Sequence, residues 1–127
     1  MEMICTSDGP TPAGHYSQAV VHGDLVFVSG QLAVDAATGQ RHAGTVEQQT
    51  KIALENVAAI LRAAGSDIDR VLKTTVYVSD IELWGRVNEV YAEFFGSHRP
   101  ARAVVPTRDL HHGLLVEIEA IATVRED

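Results

Sequence analysis

The chain has 127 residues, which suits a single domain, and its 46% hydrophobic and 21% charged residues exclude an intrinsically disordered protein. A formal net charge of −7, with ten Lys and Arg residues scattered along the chain, argues against sequence-independent binding of nucleic acid. The single cysteine, Cys5, excludes an intrachain disulfide and favours a reducing compartment.

The N-terminal third of the chain is predicted to contain an arm, a hairpin and a loop. Residues 1–13 are rich in Ser, Thr, Pro and Gly and predict the arm. Two runs of β-branched and aromatic residues, 16–21 and 25–29, predict antiparallel strands joined by a turn at 22–24. Residues 30–44, with three glycines and Asp35, predict a loop.

An amphipathic helix is predicted over residues 45–64. Thr45 and Gln48 have the spacing of a capping box, and Gly65 stands where a helix commonly ends in glycine. Apolar residues recur every three or four positions and therefore give the helix one buried stripe. A strand over 71–78 follows, because polar and apolar residues alternate there.

A second helix and two strands complete the predicted elements. Ser79 and Glu82 repeat the capping-box spacing, and the helix should end at Phe95, before a glycine. Alternating β-branched residues predict the last strands over 101–107 and 114–123. The apolar stripe of the second helix comprises Trp84, Val87, Tyr91 and Phe94.

The predicted order β-β-α-β-α-β-β indicates one α+β domain, residues 1–127, with a mixed sheet and two helices on one face. Both faces of the sheet carry apolar residues: Val26 and Val28 alternate with Leu25 and Phe27. Two helices cover only one face, so the other must be buried by another molecule. The sequence therefore predicts a symmetric oligomer.

Two carboxylates and an arginine in the C-terminal quarter are candidates for chemistry. Glu117 and Glu119 lie on one face of the last predicted strand, about 6.6 Å apart, although carboxylates are depleted in strands. Arg102 precedes them, and its planar guanidinium suits two parallel hydrogen bonds to a carboxylate. Spacing alone leaves open whether that carboxylate belongs to the protein or to a ligand.

Other cofactor-binding or catalytic signals are weak. His111 and His112 are adjacent on a segment predicted to be extended, so their rings should point apart into solvent, and no second cluster completes a metal site. No glycine-rich phosphate loop occurs, and Cys5 has no neighbouring base, so we expect neither a nucleotide cofactor nor a catalytic thiol. The first fifteen residues lack a signal-peptide pattern, and we expect a soluble cytoplasmic protein.

Four blocks of sequence carry a resemblance to a known family. They are GHYSQA at 14–19, SGQ at 29–31, NEVYAEFF at 88–95, and PAR at 100–102 with VEIEAIA at 116–122. In this order and spacing, the chain resembles the reactive-intermediate deaminase family, RidA or YjgF, from about residue 14 to 122. The resemblance implies a chorismate-mutase-like fold and a homotrimer with active sites in the clefts between subunits.

The resemblance also implies roles for individual residues. Arg102 would hold the substrate carboxylate with two hydrogen bonds, and Glu117 would position a water molecule, whereas Glu119 is assigned a structural role. Tyr16 and Ser29 would line the cleft and bind ligand or water. Each also has an ordinary structural explanation: a salt bridge for Arg102 or Glu117, packing for Tyr16 and a turn for Ser29.

Three further residues are candidates for substrate binding. Gly30 would allow the backbone to approach a ligand closely. Asn88 would lie at the subunit contact near the site, although a solvated helix position explains it equally simply. Val104 stands where relatives frequently have a cysteine.

The chain departs from the family pattern near the expected cleft. Besides Val104, it has His15 where the family commonly has proline, and the loop after the arginine strand reads TRDLHH at 107–112 instead of a sequence close to ARLPKD. Pro106 removes a ladder donor and therefore predicts an edge strand or a bulge. These differences leave the substrate side-chain preference open.

The implied activity is hydrolysis of reactive 2-imino acids, and of their 2-aminoacrylate or 2-aminocrotonate enamine forms, to 2-oxo acids and ammonia without a cofactor. One alternative is a non-catalytic trimer that binds 2-oxo acids, although such a receptor would have no use for Glu117. A second is a deaminase specific for a related enamine catabolite. A third, a ribonuclease, is disfavoured by the acidic charge, and neither nucleic acid nor membrane is an expected partner.

Overall fold

The structure, a computed structural model, describes residues 1–125 and contains one mixed sheet with two helices. The sheet has six strands in the order β1-β2-β3-β6-β4-β5. The strands are β1 (Glu2–Ile4), β2 (Ala19–His22), β3 (Leu25–Gln31), β4 (Val71–Val78), β5 (Ala101–Pro106) and β6 (Val116–Thr123). The helices are α1 (Val46–Ala63) and α2 (Trp84–Phe95).

The predicted α+β fold with a mixed sheet is confirmed, and the structure adds one strand at its start. β1 lies within the segment that the sequence predicts to be an arm, and it pairs antiparallel with β2. Its three residues are too few to show a periodicity, so only the tertiary pairing reveals it. The first predicted strand also begins later than expected, at Ala19, which leaves Tyr16 in the preceding loop.

The sheet changes from antiparallel to parallel at one edge. β4 pairs antiparallel with β6 on one side and parallel with β5 on the other, and α2 is the connection between β4 and β5. β5 is an edge strand, as Pro106 predicted, and this proline is its last residue. Arg102 therefore lies on the outermost strand of the sheet.

α1 begins as predicted from the sequence. Thr45 accepts a hydrogen bond from the backbone N–H of Gln48, whose side chain in turn accepts one from the N–H of Thr45, which completes the capping box. At its C-terminus, the backbone N–H of Ser66 donates to the carbonyl of Leu61, and Gly65 has φ +81°.

The start of α2 differs from the prediction. A short 3-10 turn over Ile81–Leu83 precedes the helix, and its N-cap is Asp80, whose carboxylate accepts a hydrogen bond from the N–H of Glu82. The predicted capping box on Ser79 is therefore wrong. Asp80 is also a favoured capping residue, and its position one residue later allows the tighter turn.

Both helices pack on one face of the sheet and leave the other face open in the described chain. Val26 and Val28 are buried in the core between sheet and helices, whereas Phe27 remains 42% exposed on the opposite face. β6 follows the same alternation, with Val116 and Ile118 fully buried. The open face therefore retains apolar surface that a second molecule would bury.

Candidate active site

Two clefts contain almost all of the residues that the sequence predicts to be functional. The first, here called the Glu117 cleft, has a volume of about 480 Å³ and is lined by Ala13, Gly14, Tyr16, Ser29, Gly30, Leu32, His111, His112 and Glu117. The second, the Arg102 pocket, has about 490 Å³ and is lined by Asn88, Tyr91, Ala92, Phe95, Gly96, His98, Arg99, Pro100 and Arg102.

An irregularity in β3 brings Gly30 against Glu117. The pairing of β3 with β6 shifts in register between Val28 and Gln31, which indicates a β-bulge. At this point the position of a Cβ atom on Gly30 would lie 2.5 Å from Oε2 of Glu117. A side chain at this position would therefore displace the carboxylate, which glycine leaves in place.

The carboxyl group of Glu117 lies in an environment that disfavours its charge. Burial is the main cause that raises its pKa above the ordinary value, and the nearby Glu119 raises it further, while His111 acts in the opposite direction. Neither oxygen of Glu117 receives a hydrogen bond from a protein group of residues 1–125. Its lone pairs are thus available to a ligand or a water molecule.

Ser29 and Tyr16 present different hydrogen-bonding groups to the cleft. The hydroxyl of Ser29 donates to the carbonyl oxygen of Ser17 at 2.6 Å, so its oxygen can accept a further bond but its proton is already engaged. Tyr16 is 51% exposed, and within residues 1–125 its hydroxyl oxygen makes only a long contact of 3.4 Å with the N–H of Ala13. Tyr16 is therefore free to donate to a ligand.

The two adjacent histidines are exposed, as predicted, but they lie on a turn instead of an extended segment and line the cleft. The 3-10 turn His111–Gly113 replaces an extended segment, and the two ring centroids are 5.9 Å apart. Within residues 1–125, no group of three or more His, Cys, Asp or Glu side chains is arranged to hold a metal ion. The segment 107–112, whose sequence departs from the family pattern, therefore contributes to the wall of the cleft.

The Arg102 pocket is built by one face of α2. Nη1 of Arg102 donates a hydrogen bond to Oδ1 of Asn88 at 2.7 Å. The guanidinium carbon also lies 4.8 Å from the ring centroid of Tyr91 and 5.6 Å from that of Trp84, distances at which cation–π attraction operates. Asn88 is therefore an orienting partner of Arg102 instead of a solvated helix residue.

Sequence reasoning assigned Trp84 and Tyr91 to the buried stripe of α2 and missed their contact with the guanidinium. Trp84 is 45% exposed, and the buried hydroxyl of Tyr91 is hydrogen-bonded to Thr74 at 2.8 Å, which fixes the ring beneath the arginine. The available signal was the spacing: Trp84, Asn88 and Tyr91 follow i, i+4, i+7 and so share one helix face.

Two other predicted residues, Glu119 and Val104, contact protein groups and line neither cleft. Tyr77 donates a short hydrogen bond to Glu119, and this bond is consistent with a structural role for that carboxylate. Val104 lies two residues after Arg102 on β5, but its side chain packs against the hydrophobic core and is not among the lining residues of either cleft.

The two clefts lie on opposite faces of the sheet. Arg102 is the partner of Thr74 in the ladder between β4 and β5, and Thr74 is buried on the helix side. Glu117 is the partner of Tyr77, which points to the open side. One chain therefore groups Tyr16, Ser29, Gly30 and Glu117, and separately groups Arg102 and Asn88, without joining the two sets.

Comparison with known proteins agrees with the fold and identifies the family. A family model described as endoribonuclease L-PSP matches residues 6–124. A RutC family protein of Pyrococcus horikoshii is 46% identical over 121 residues, which cover 95% of this chain and 96% of that protein. The 2-iminobutanoate/2-iminopropanoate deaminase of Rattus norvegicus is 45% identical, with 95% and 88% covered.

A solved structure gives the same result in three dimensions. The crystal structure of TdcF of E. coli with bound serine superimposes with a TM-score of 0.92 at 39% identity, covering 99% of this chain and 100% of that one. No helix of residues 1–125 combines the length and the apolar character that a membrane crossing requires. On the family model and on relatives that align over nearly their whole length, this chain belongs to the endoribonuclease L-PSP family, also known as the RidA/YjgF family.

Proposed function

We propose that the protein hydrolyses small, reactive 2-imino acids, and the enamines in exchange with them, to 2-oxo acids and ammonia. The observation that carries the proposal is the carboxyl group of Glu117, which accepts no hydrogen bond from residues 1–125 and lies beside Gly30 with a raised pKa and an open cleft in front of it. A relative with 45% identity bears the name of such a deaminase, which supports the same reaction class.

In this proposal, Arg102 binds the substrate carboxylate. Its guanidinium is already oriented by Asn88 on one side and by the rings of Trp84 and Tyr91 on the other, so little side-chain entropy is lost on binding. Fixing the carboxylate also fixes the imine carbon relative to the attacking water. This positioning contributes to the rate because attack becomes effectively intramolecular.

Glu117 acts on the water molecule. Its ionised carboxylate accepts a hydrogen bond from the water, aims it at the imine carbon and takes its proton as the new C–O bond forms. The hydroxyl oxygen of Ser29 accepts a hydrogen bond from the imino nitrogen or the water, and the hydroxyl of Tyr16 donates one. Glu117 then returns this proton to the amino nitrogen of the carbinolamine, whose C–N bond breaks to release ammonia and give the 2-oxo acid.

The proposal requires residues from two chains in each site. Arg102 and Glu117 lie on opposite faces of the sheet, so a site with both needs the helix-side pocket of one subunit and the open-side cleft of its neighbour. The open apolar face, including Phe27, supplies surface for such an assembly. We propose a homotrimer, in which three copies close three equivalent sites.

The test is an assay in which an amino-acid oxidase generates 2-iminobutanoate or 2-iminopropanoate and release of the 2-oxo acid is followed. We expect wild type to accelerate hydrolysis. Arg102→Ala should lower kcat/KM by about a hundredfold, because a charge-assisted carboxylate contact is lost. Arg86→Ala is the matched control, since it removes a guanidinium of α2 from an exposed ion pair with Glu47 of α1.

A second variant separates catalysis from binding. Glu117→Gln should lower kcat by about 10²–10⁴-fold through loss of the base, while 2-oxobutanoate still binds. Acceleration that survives in both variants would refute the proposed roles. An assembled wild type that binds 2-oxobutanoate without accelerating any imine would instead indicate the non-catalytic receptor.

A further inference from the structure

A further cavity, distinct from the Arg102 pocket and here called the second cavity, opens beside the Glu117 cleft and shares part of its wall. It has a volume of about 400 Å³. The residues common to both cavities are Ala13, Tyr16, Gly30, Leu32 and His112. A molecule whose reacting atom lies at Glu117 could therefore extend past Tyr16 into the second cavity.

The ionisable groups that line the second cavity are basic apart from Tyr16. They include the guanidinium of Arg41 and the imidazole of His112, and among residues 1–125 no carboxylate belongs to the lining. The nearby Asp35 is not among the lining residues; its Oδ1 accepts hydrogen bonds from Ala37 and Thr38 within its own turn, and within residues 1–125 it forms no salt bridge with Arg41. The cavity thus has the charge of an anion-binding site.

His112 is held at the junction of the two cavities by an unusual backbone conformation. Its φ of 63° makes it the one non-glycine residue with positive φ in the described chain. A side chain in this left-handed region costs of order 1 kcal/mol and is found preferentially at functional positions. Burial lowers the pKa of His112, and the nearby positive charges of Arg41 and His111 lower it further. Arg41 and His112 both line the second cavity, so one ligand there can contact both groups.

We propose that this second cavity receives the anionic side-chain group of a dicarboxylic 2-imino acid. The proposal rests on the deaminase function proposed above and specifies its substrate class. Arg102 of a neighbouring subunit holds the first carboxylate, Glu117 faces the imine carbon, and Arg41 and His112 bind the second carboxylate.

An apolar side chain suits this cavity less well. Leu32 and Val34 supply some apolar wall, but a hydrocarbon chain would remove water from Arg41 without offering an acceptor in return. A carboxylate instead forms charge-assisted hydrogen bonds with the guanidinium. Ala36, Ala37 and Gly39 are small and leave space for the additional atoms of such a substrate.

The test compares two product analogues of equal chain length, 2-oxoglutarate and 2-oxopentanoate, by titration calorimetry on the assembled protein. Wild type should bind 2-oxoglutarate more tightly, and Arg41→Gln should reduce that preference about tenfold or more. Arg62→Gln is the control, because it removes the same charge at the end of α1, where Arg62 pairs with Asp67. This control should keep the wild-type preference.

Because binding is measured on products, the result is independent of turnover. Equal affinities for the two acids in wild type, or a preference that survives in Arg41→Gln, would overturn the inference. Hydrolysis of 2-iminobutanoate but no preference for dicarboxylates would leave the deaminase standing and refute the second subsite alone. A preference for 2-oxoglutarate without hydrolysis of any imine would confirm the anion subsite and refute the deaminase.

Discussion

The ionisation of Glu117 links the proposed chemistry to pH at the level of a single residue. Because burial raises its pKa, the folded protein binds this proton more strongly than the unfolded chain does. The stabilising contribution is therefore fully present below the unfolded pKa and is lost as pH rises through the folded pKa. Activity should depend on pH in the opposite direction and rise as pH rises, since the base must be ionised.

We accordingly expect kcat to decrease as pH is lowered, with an apparent pKa above the ordinary glutamate value. Glu117→Gln should unfold at a higher temperature than wild type at neutral pH, because the amide avoids the buried charge. The difference should vanish well below pH 4.5, the ordinary value. Thermal unfolding at both pH values measures the stability difference between the variant and wild type. A variant that is less stable than wild type at neutral pH would contradict the prediction.

Gly30 gives a second prediction at the same scale. A methyl group on this residue would collide with the Glu117 carboxylate, which is the flexible end of a side chain, and not with rigid backbone. Gly30→Ala should therefore displace the carboxylate and lower kcat by about tenfold or more, with a small effect on stability. Gly85→Ala is the matched control, because an added Cβ at Gly85 meets no atom within 4 Å. Gly23→Ala is unsuitable, because the φ of +59° at Gly23 would strain any side chain.

At the scale of secondary-structure elements, the capping box of α1 is a separable source of stability. Thr45→Ala removes the acceptor for the N–H of Gln48 and should lower the free energy of unfolding by about 1 kcal/mol. Thr45→Ser keeps the hydroxyl and should restore most of that loss. Urea unfolding of both variants tests this, and imine hydrolysis should be unchanged because Thr45 lines neither cleft.

The elements also indicate what the sequence could predict. α1 was predictable because its caps and its apolar stripe agree, and both depend on residues close together in the chain. β1 depends on pairing with residues about seventeen positions away, which local patterns do not report. α2 begins later than predicted because Asp80 competes with Ser79 for the capping position.

The candidate site was also predictable only where it depends on local sequence. The resemblance to the family identified Arg102, Glu117, Tyr16 and Ser29 as candidates, and the structure gives each a surrounding compatible with its proposed role. The aromatic contacts of Arg102 were missed because they join β5 to α2, and the position of His112 was missed because a positive φ is not encoded in residue type. Both are properties of tertiary structure.

At the scale of the whole molecule, the opposite placement of the two clefts predicts complementation between inactive variants. Arg102→Ala and Glu117→Gln are each expected to be nearly inactive. In mixed oligomers, some interfaces combine the intact arginine of one variant with the intact glutamate of the other. Random mixing at equal amounts should restore about a quarter of the wild-type sites.

The measurement is imine hydrolysis before and after the two variants are unfolded together and refolded. Variants refolded separately and then mixed serve as the control and should remain inactive as long as subunits do not exchange. If co-refolding restores no activity although mixed oligomers form, Arg102 and Glu117 act within the same chain, contrary to the arrangement proposed here.

The separation of Arg102 and Glu117 by the sheet also has a consequence for the amount of enzyme in a cell. In the proposed homotrimer a chain on its own would be inert, because half of each reaction centre would belong to another copy. Catalytic output then depends on encounters between chains, so at low expression it rises more steeply than in proportion to the quantity of protein made. Dilution below the concentration at which the oligomer assembles is then expected to abolish the activity.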